Sequence, residues 1–311
     1  MKFRHSTKGS QSFLFSTKES DESYYEVVYD LTKKLFVGMA KHALAFNSTK
    51  YDIYEPPFIF RERQLDSLIM PVLASLCKGL AFAEYPMIRN SRKKGLEIEN
   101  SQGRIDYWCI YKDYSVVVEV KHSYDNFETS CTNDGRLVQR WRTMNIVQLE
   151  NVKDEIKHFG EKTKGVIRLG LHFVTSYSST NPSGDIRETY ISQERVMLDR
   201  LYKDLKTVAS PDFMSVWELD KDMVYYDNDR AYPGLIVIAK FFKDIKHKDS
   251  KVYMFSIKHV LLQGNENFLD RTKSVALYGK LYWCMSDKKL NVGDIVYLFV
   301  SGIGHYQIRY K

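Results

Sequence analysis

The sequence predicts an α/β protein: a mixed central sheet flanked by helices, with an N-terminal helical segment and a β-rich C-terminal extension. Three observations carry that prediction. Apolar residues recur at helical spacing from Glu22 to about Phe46, and three strand-like runs, AFAEYPMI, RIDYWCIY and SVVVEVK, follow a second helical run. A third helical segment, Leu137 to Phe159, then leads into the strand-like VIRLGLHFVTSY. Helix and strand signals in this order describe helices packed on a mixed sheet.

Residues 1 to about 20 are polar and rich in Ser and Lys, which predicts a loose start. Tyr25, Val28, Leu31, Leu35, Met39, Ala43 and Phe46 then line one face of an amphipathic helix, ended by the consecutive prolines of YDIYEPPF. FRERQLDSLIMPVLASLCKG predicts a second helix, kinked at Pro71 and closed by Gly79. The three strands come next as an antiparallel meander, the last two joined through the turn-prone KDYS. After the helix over 137–159 and its strand, a further helix is expected near residues 191–208 and a strand at GLIVIAKFF. Beyond Lys243 the chain reads as short strands and turns: KVYMFSIKHVLL, SVALYGKLYWCM, VGDIVYLFVSG and HYQIRYK. The expected organisation is an N-terminal helical segment over 1–57, a main α/β domain over 58–245, and a β-rich module or sheet extension over 246–311.

Composition narrows the function classes. Across 311 residues, 46 Lys and Arg face 39 Asp and Glu, a net charge of +7 that suits an acidic partner such as nucleic acid without demanding one. Cys77, Cys109, Cys131 and Cys284 form no CxxC pair and read as reduced thiols of a cytoplasmic protein. With no apolar leader and no long uncharged apolar run, neither export nor a membrane is expected.

One stretch carries chemistry: GRIDYWCIYKDYSVVVEVKH, residues 103–122. If the four residues Lys112 to Ser115 connect the two strands, Tyr111 pairs with Val116, Trp108 with Glu119 and Asp106 with Lys121. Opposed residues share a sheet face, as do residues two apart on one strand. Asp106, Glu119 and Lys121 then converge at one end, while Val116, Val118 and Val120 face the other way. Two neighbouring carboxylates repel, and a hard divalent cation such as Mg²⁺ or Mn²⁺ relieves that best. Such an ion acidifies a bound water and stabilises charge on a phosphorus centre, and a lysine beside it helps orient the water. The alternative for Glu119 and Lys121 is a solvated strand face, which sits poorly with the buried-strand character of the valine run.

Asp106, twelve intervening residues, then Glu119-Val120-Lys121 resembles the PD-(D/E)xK nuclease superfamily over about residues 58–180. The resemblance implies a restriction-endonuclease-like core and metal-dependent hydrolysis of phosphodiester bonds in nucleic acid, DNA foremost. It implies metal ligation by Asp106, Glu119 and the Val120 carbonyl, with Lys121 assisting the water. Glu62, in FRERQL, is the implied further acid, with Glu84 its substitute, and Gln148, in NIVQLEN, matches a glutamine on the following helix. Ile105 stands where the family's nominal proline would be.

Around that motif, Arg89, Arg92, Lys93 and Lys94 are candidates to grip phosphates, as is His122, although a solvated loop and an incidental histidine are the plainer readings. VGDIVYLFVSG looks somewhat like small nucleic-acid-reading β-barrels. Two further classes stay open: a nuclease-fold protein that binds nucleic acid or a protein partner without cleaving, and an assembly protein, such as a homodimer, joined through its aromatic C-terminal strands.

Overall fold

A computed structural model describes residues 2–8, 10–17, 22–90, 100–129, 135–152, 162–178, 185–227, 229–242, 252–257, 295–300 and 304–309. The chain divides into two compact units, Met1–Lys246 and His247–Lys311. The first is a mixed α/β unit built on a nine-stranded sheet.

Its strands are β1 (Lys2–Lys8), β2 (Gln11–Thr17), β5 (Ala81–Asn90), β6 (Asn100–Tyr111), β7 (Tyr114–Asn126), β8 (Gly165–Ser178), β9 (Phe213–Glu218), β10 (Tyr225–Asp227) and β11 (Arg230–Phe242). The short pair β3 (Asn47–Ser48) and β4 (Ile53–Tyr54) stands apart from it. The sheet runs β1-β2-β9-β11-β8-β7-β6-β5, with β10 on β11. Among the described strands of this sheet, β7 and β8 pair in parallel and the other neighbours antiparallel.

The helices cover both faces. On one, α1 (Ser23–Ala43) buries Tyr25, Val28, Leu31, Leu35, Met39 and Ala43, the residues whose spacing predicts it. Tyr25 and Tyr29 of α1 meet Phe241 and Phe213 of the sheet edge to face, at 5.2 and 5.3 Å between ring centroids. Beside α1 lies α2 (Asp66–Leu76), which contains Pro71 and begins after a 3-10 turn at Glu62–Leu65. The two helices touch at Gly38, where a Cβ would fall 2.4 Å from Val72. The exit from α2 passes through Lys78 and Gly79, both at positive φ, which is the expected helix stop.

The opposite face carries α3 (Arg136–Arg142), a π-helical segment over Thr143–Leu149, and α4 (Ile186–Leu205). Asp185 caps α4 by accepting from the backbone N–H groups of Arg187 and Glu188. Two glycines let these elements approach. A Cβ on Gly170 would lie 2.6 Å from Asn145, and one on Gly234 would lie 2.4 Å from the Tyr190 ring.

Three features differ from expectation. The first twenty residues contain a hairpin, β1–β2, whose second strand pairs with β9. Phe13, Leu14 and Phe15 are buried there, and the short polar β1 hides its strand character because it is an edge. This hairpin and α1 belong to the same compact unit as the rest of the sheet. Second, the helix expected over 137–159 changes from α to π at Thr143; residues 153–161 lie outside the described residues. Third, β9, also uninterrupted in burial, was not expected.

In the second unit, β12 (Val252–Ile257) pairs in parallel with β13 (Ile295–Val300), which pairs antiparallel with β14 (Gly304–Arg309). The run SVALYGKLYWCM lies outside the described residues. No helix among the described residues is long and apolar enough to cross a membrane.

Candidate active site at a strand fork

The hairpin of β6 and β7 turns through two residues, Lys112 and Asp113, both left-handed at φ 47° and 68°. Tyr111 therefore pairs with Tyr114 and Trp108 with Val117, a register two residues away from the expected one. A Lys-Asp pair lacks the glycine that marks such a turn, so the tight connection is not legible. Exposed ion pairs flank it, from Lys112 to Asp30 at 2.7 Å and from Asp113 to Lys164 at 2.9 Å. An even displacement leaves every residue on its face. Glu119 and Lys121 thus share a face with Trp108 and Asp106, while Val116, Val118 and Val120 take the other.

The β6–β7 ladder ends at Tyr107–Val118, because β6 continues against β5 alone. From there β7 keeps β8 on one side and loses β6 on the other. The N–H and C=O groups of Val120 and His122 point into this fork, and buried backbone groups must find partners. Four side chains supply them. Asp106 Oδ2 accepts from the Val120 N–H at 2.7 Å, and Glu62 Oε2 accepts from the His122 N–H at 3.2 Å. Lys121 Nζ donates to the Val120 carbonyl at 2.6 Å, and Arg140 donates to the His122 carbonyl.

Those contacts gather a charged cluster. Lys121 Nζ lies 3.3 Å from Glu62 Oε1 and 4.0 Å from Asp106 Oδ2. The lysine side chain is 15% exposed, against 42% for Glu62 and 32% for Asp106. Its ammonium is ringed by two carboxylates and a carbonyl, an all-oxygen donor set of the kind a hard divalent cation takes. By that chemistry the donor set would suit Mg²⁺ or Mn²⁺, and its centre is taken by the Lys121 ammonium.

Glu119 behaves differently. It is fully buried, level in the sheet with Gly170, over which Asn145, Met144 and Leu149 pack. Among the described residues the only group of three His, Cys, Asp or Glu side chains with ligand atoms within 4.8 Å of one another is His5, Glu194 and Glu218. Glu62, Asp106 and Glu119 therefore span a wider set than that. Glu84 takes no part: it is exposed and pairs with Arg104 at 2.8 Å.

His122 is a core residue rather than a phosphate contact. Its ring is buried, bonds Thr175 at 2.9 Å, and packs against Tyr124. Burial, then the Arg140 charge, holds its pKa down to about 4, so it is neutral at physiological pH. Gln148 belongs to the π-helical segment, with its Oε1 enclosed and no hydrogen-bond partner among the described residues. Arg89 ends in β5, with a side chain outside the described residues; Arg92, Lys93 and Lys94 lie outside them altogether.

Two participants were not legible. Arg140 braces the fork from α3, and Asp66, at the start of α2, accepts from Tyr107 beneath it. Burial, then the Asp66 carboxylate, pushes the Tyr107 phenol well above its ordinary pKa, keeping it a donor. The only sequence signal for Arg140 is a basic residue beside the apolar Leu137 and Trp141 of α3, and such residues are common on surfaces. No protein-family model matches the chain, and neither the curated proteins nor the solved structures contain a match to it.

Proposed function

We propose that the chain is a metal-dependent nuclease that hydrolyses phosphodiester bonds in nucleic acid, DNA foremost. The observation carrying this reading is the cluster at the fork: Glu62, Asp106 and the Val120 carbonyl turned onto one cation position, with Lys121 among them. Asp106, Glu62 and the Val120 carbonyl would hold Mg²⁺ or Mn²⁺, with Glu119 the neighbouring carboxylate on the Lys121 face. The bound ion would supply an acidified water and charge stabilisation at the scissile phosphate.

The chain's own residues do the rest. Asp106 and Glu62 are each anchored by a β7 N–H, so their free lone pairs have a fixed direction. Lys121 would orient the attacking water and offset charge on the phosphate oxygens. Arg140 keeps the His122 carbonyl from competing for the same donors. Reduced buried thiols at Cys77 and Cys109 suit a cytoplasmic location.

A second reading, a nucleic-acid-binding protein that does not cleave, is favoured by one observation: Lys121 already occupies the cation position and Glu119 is sealed. A cleavage assay with Mg²⁺, Mn²⁺ and EDTA on duplex, single-stranded, branched and RNA substrates separates the two. Metal-dependent cleavage that fails in Lys121→Ala supports the nuclease. Salt-sensitive binding with no cleavage on any substrate selects the binder.

A further inference from the structure

Two glutamates meet at a distance from the fork. Glu218 ends β9 and Glu194 lies within α4; both are almost inaccessible, at 4% and 3% exposure. Both carboxyl groups face one another in this enclosed space, and Glu194 Oε2 makes no well-formed hydrogen bond among the described residues. Over them stands His5 of β1, its side chain 54% exposed, with Nε2 3.2 Å from Glu194 Oε1 and Nδ1 3.4 Å from Glu218 Oε1. One ligand atom from each of the three falls within 4.8 Å of the other two.

The fold explains the meeting. His5 pairs with Leu14 and Leu14 with Val216, so His5 shares a sheet face with Val216 and hence with Glu218. Gly234, level with Glu218, lets Tyr190 of α4 come down onto the same face. One helical turn further along α4 is Glu194.

Enclosing two carboxylates together is costly, because each loses hydration and each repels the other. The His5 ring, more than half exposed, offsets this only in part. Burial, then the Glu218 charge, accordingly pushes the Glu194 carboxyl up to about 8. A dication would satisfy both enclosed carboxyl groups at once. One imidazole and two carboxylates make a three-ligand set that leaves a position for water, and the imidazole favours zinc-class ions over Mg²⁺ or Ca²⁺. His5 leaves one side of the cluster open to solvent, and a separate groove lined by Lys2, Phe3, Arg4, Arg195 and Asp199 lies between β1 and α4.

We propose that His5, Glu194 and Glu218 bind one divalent transition-metal ion of the zinc class, tying the edge strand β1 to α4 and β9. This site stands independently of the nuclease reading, since β11 and β8 separate β9 from β7.

The test titrates Zn²⁺ by calorimetry into chelator-treated full-length protein carrying Asp106→Asn and Glu62→Gln, which disable the fork. The expected result is one equivalent of bound Zn²⁺ and a raised Tm, with no rise from Mg²⁺ at the same concentration. Adding His5→Ala or Glu218→Gln should weaken binding by more than about 100-fold, beyond the loss expected from removing an outer hydrogen-bond partner. His5 is exposed, so His5→Ala decides the matter even where Glu218→Gln fails to fold. No binding at micromolar Zn²⁺, or His5→Ala binding as tightly as its parent, overturns the proposal.

Discussion

Lys121 and Asp125 sit one helical-turn's worth of residues apart on the same strand and the same face, yet their surroundings are opposite. Lys121 stands at the fork, among carboxylates that are partly open to solvent. Asp125 is sealed under α4, where Arg200 pairs with it and also reaches the Thr129 carbonyl. Charges at the fork replace a strand that has left, so they hold backbone groups while keeping lone pairs available. Charges under α4 are taken up by one another and by the Thr129 carbonyl. One strand thus offers exchangeable charge at one point and fixed charge at the next, and burial makes the difference.

Mutations can test that contrast. The largest effect belongs to the fork: Lys121→Ala and Asp106→Asn should each lower metal-dependent cleavage about 10²- to 10⁴-fold. Their urea-unfolding free energies should move by only about 1 kcal/mol, as expected for partly exposed ion pairs. Equal losses of stability and activity would erase the distinction.

Arg200→Ala should do the reverse. Leaving Asp125 buried without its partner costs about 3–5 kcal/mol of stability, while cleavage per folded molecule stays unchanged. Gly234→Ala comes next, at about 1–3 kcal/mol, because the added methyl meets the buried Tyr190 ring.

Acid should weaken the covered region first. The His172 ring is buried, stacked on Trp141 and bonded to Ser123. Burial, then the charges of His122, Arg140 and Lys121, holds its pKa down to about 3. In the unfolded chain it titrates near 6.5 (about the model-peptide value). Above that pH the ring is neutral in both states; as pH falls from there towards 3, only the unfolded chain takes the proton and stability is lost. Urea midpoints should fall across this window, less steeply in His172→Gln. The smallest effect is at the β6–β7 turn, where Asp113→Gly should raise stability by about 0.5–1 kcal/mol by relieving a left-handed aspartate.

Much of this is written locally. The spacing of Tyr25, Val28, Leu31 and Leu35 specifies α1 because its helical face is continuously buried, and the valine run of β7 announces a strand covered on both sides. The pattern of Asp106, Glu119 and Lys121 along two adjoining strands specifies their shared face, since alternation alone decides it. Glu62 entered only through the family resemblance, with Glu84 as its substitute, and local pattern did not choose between them.

Position within that face was decided in three dimensions. The tight turn at Lys112 and Asp113 lies against Asp30 and Lys164, residues distant in sequence, and it moves Asp106 two places along β7. The departure of β6 towards β5 opens the fork and thereby turns Asp106, Glu62, Lys121 and Arg140 onto the backbone of β7. Gly170 admits the segment that seals Glu119, and Gly234 admits the helix that brings Glu194 to Glu218 and His5. None of these has a local signal, because each depends on which strand loses its neighbour and where a missing Cβ lets a helix descend. Periodicity reports which side of an element is covered; only tertiary packing selects what covers it.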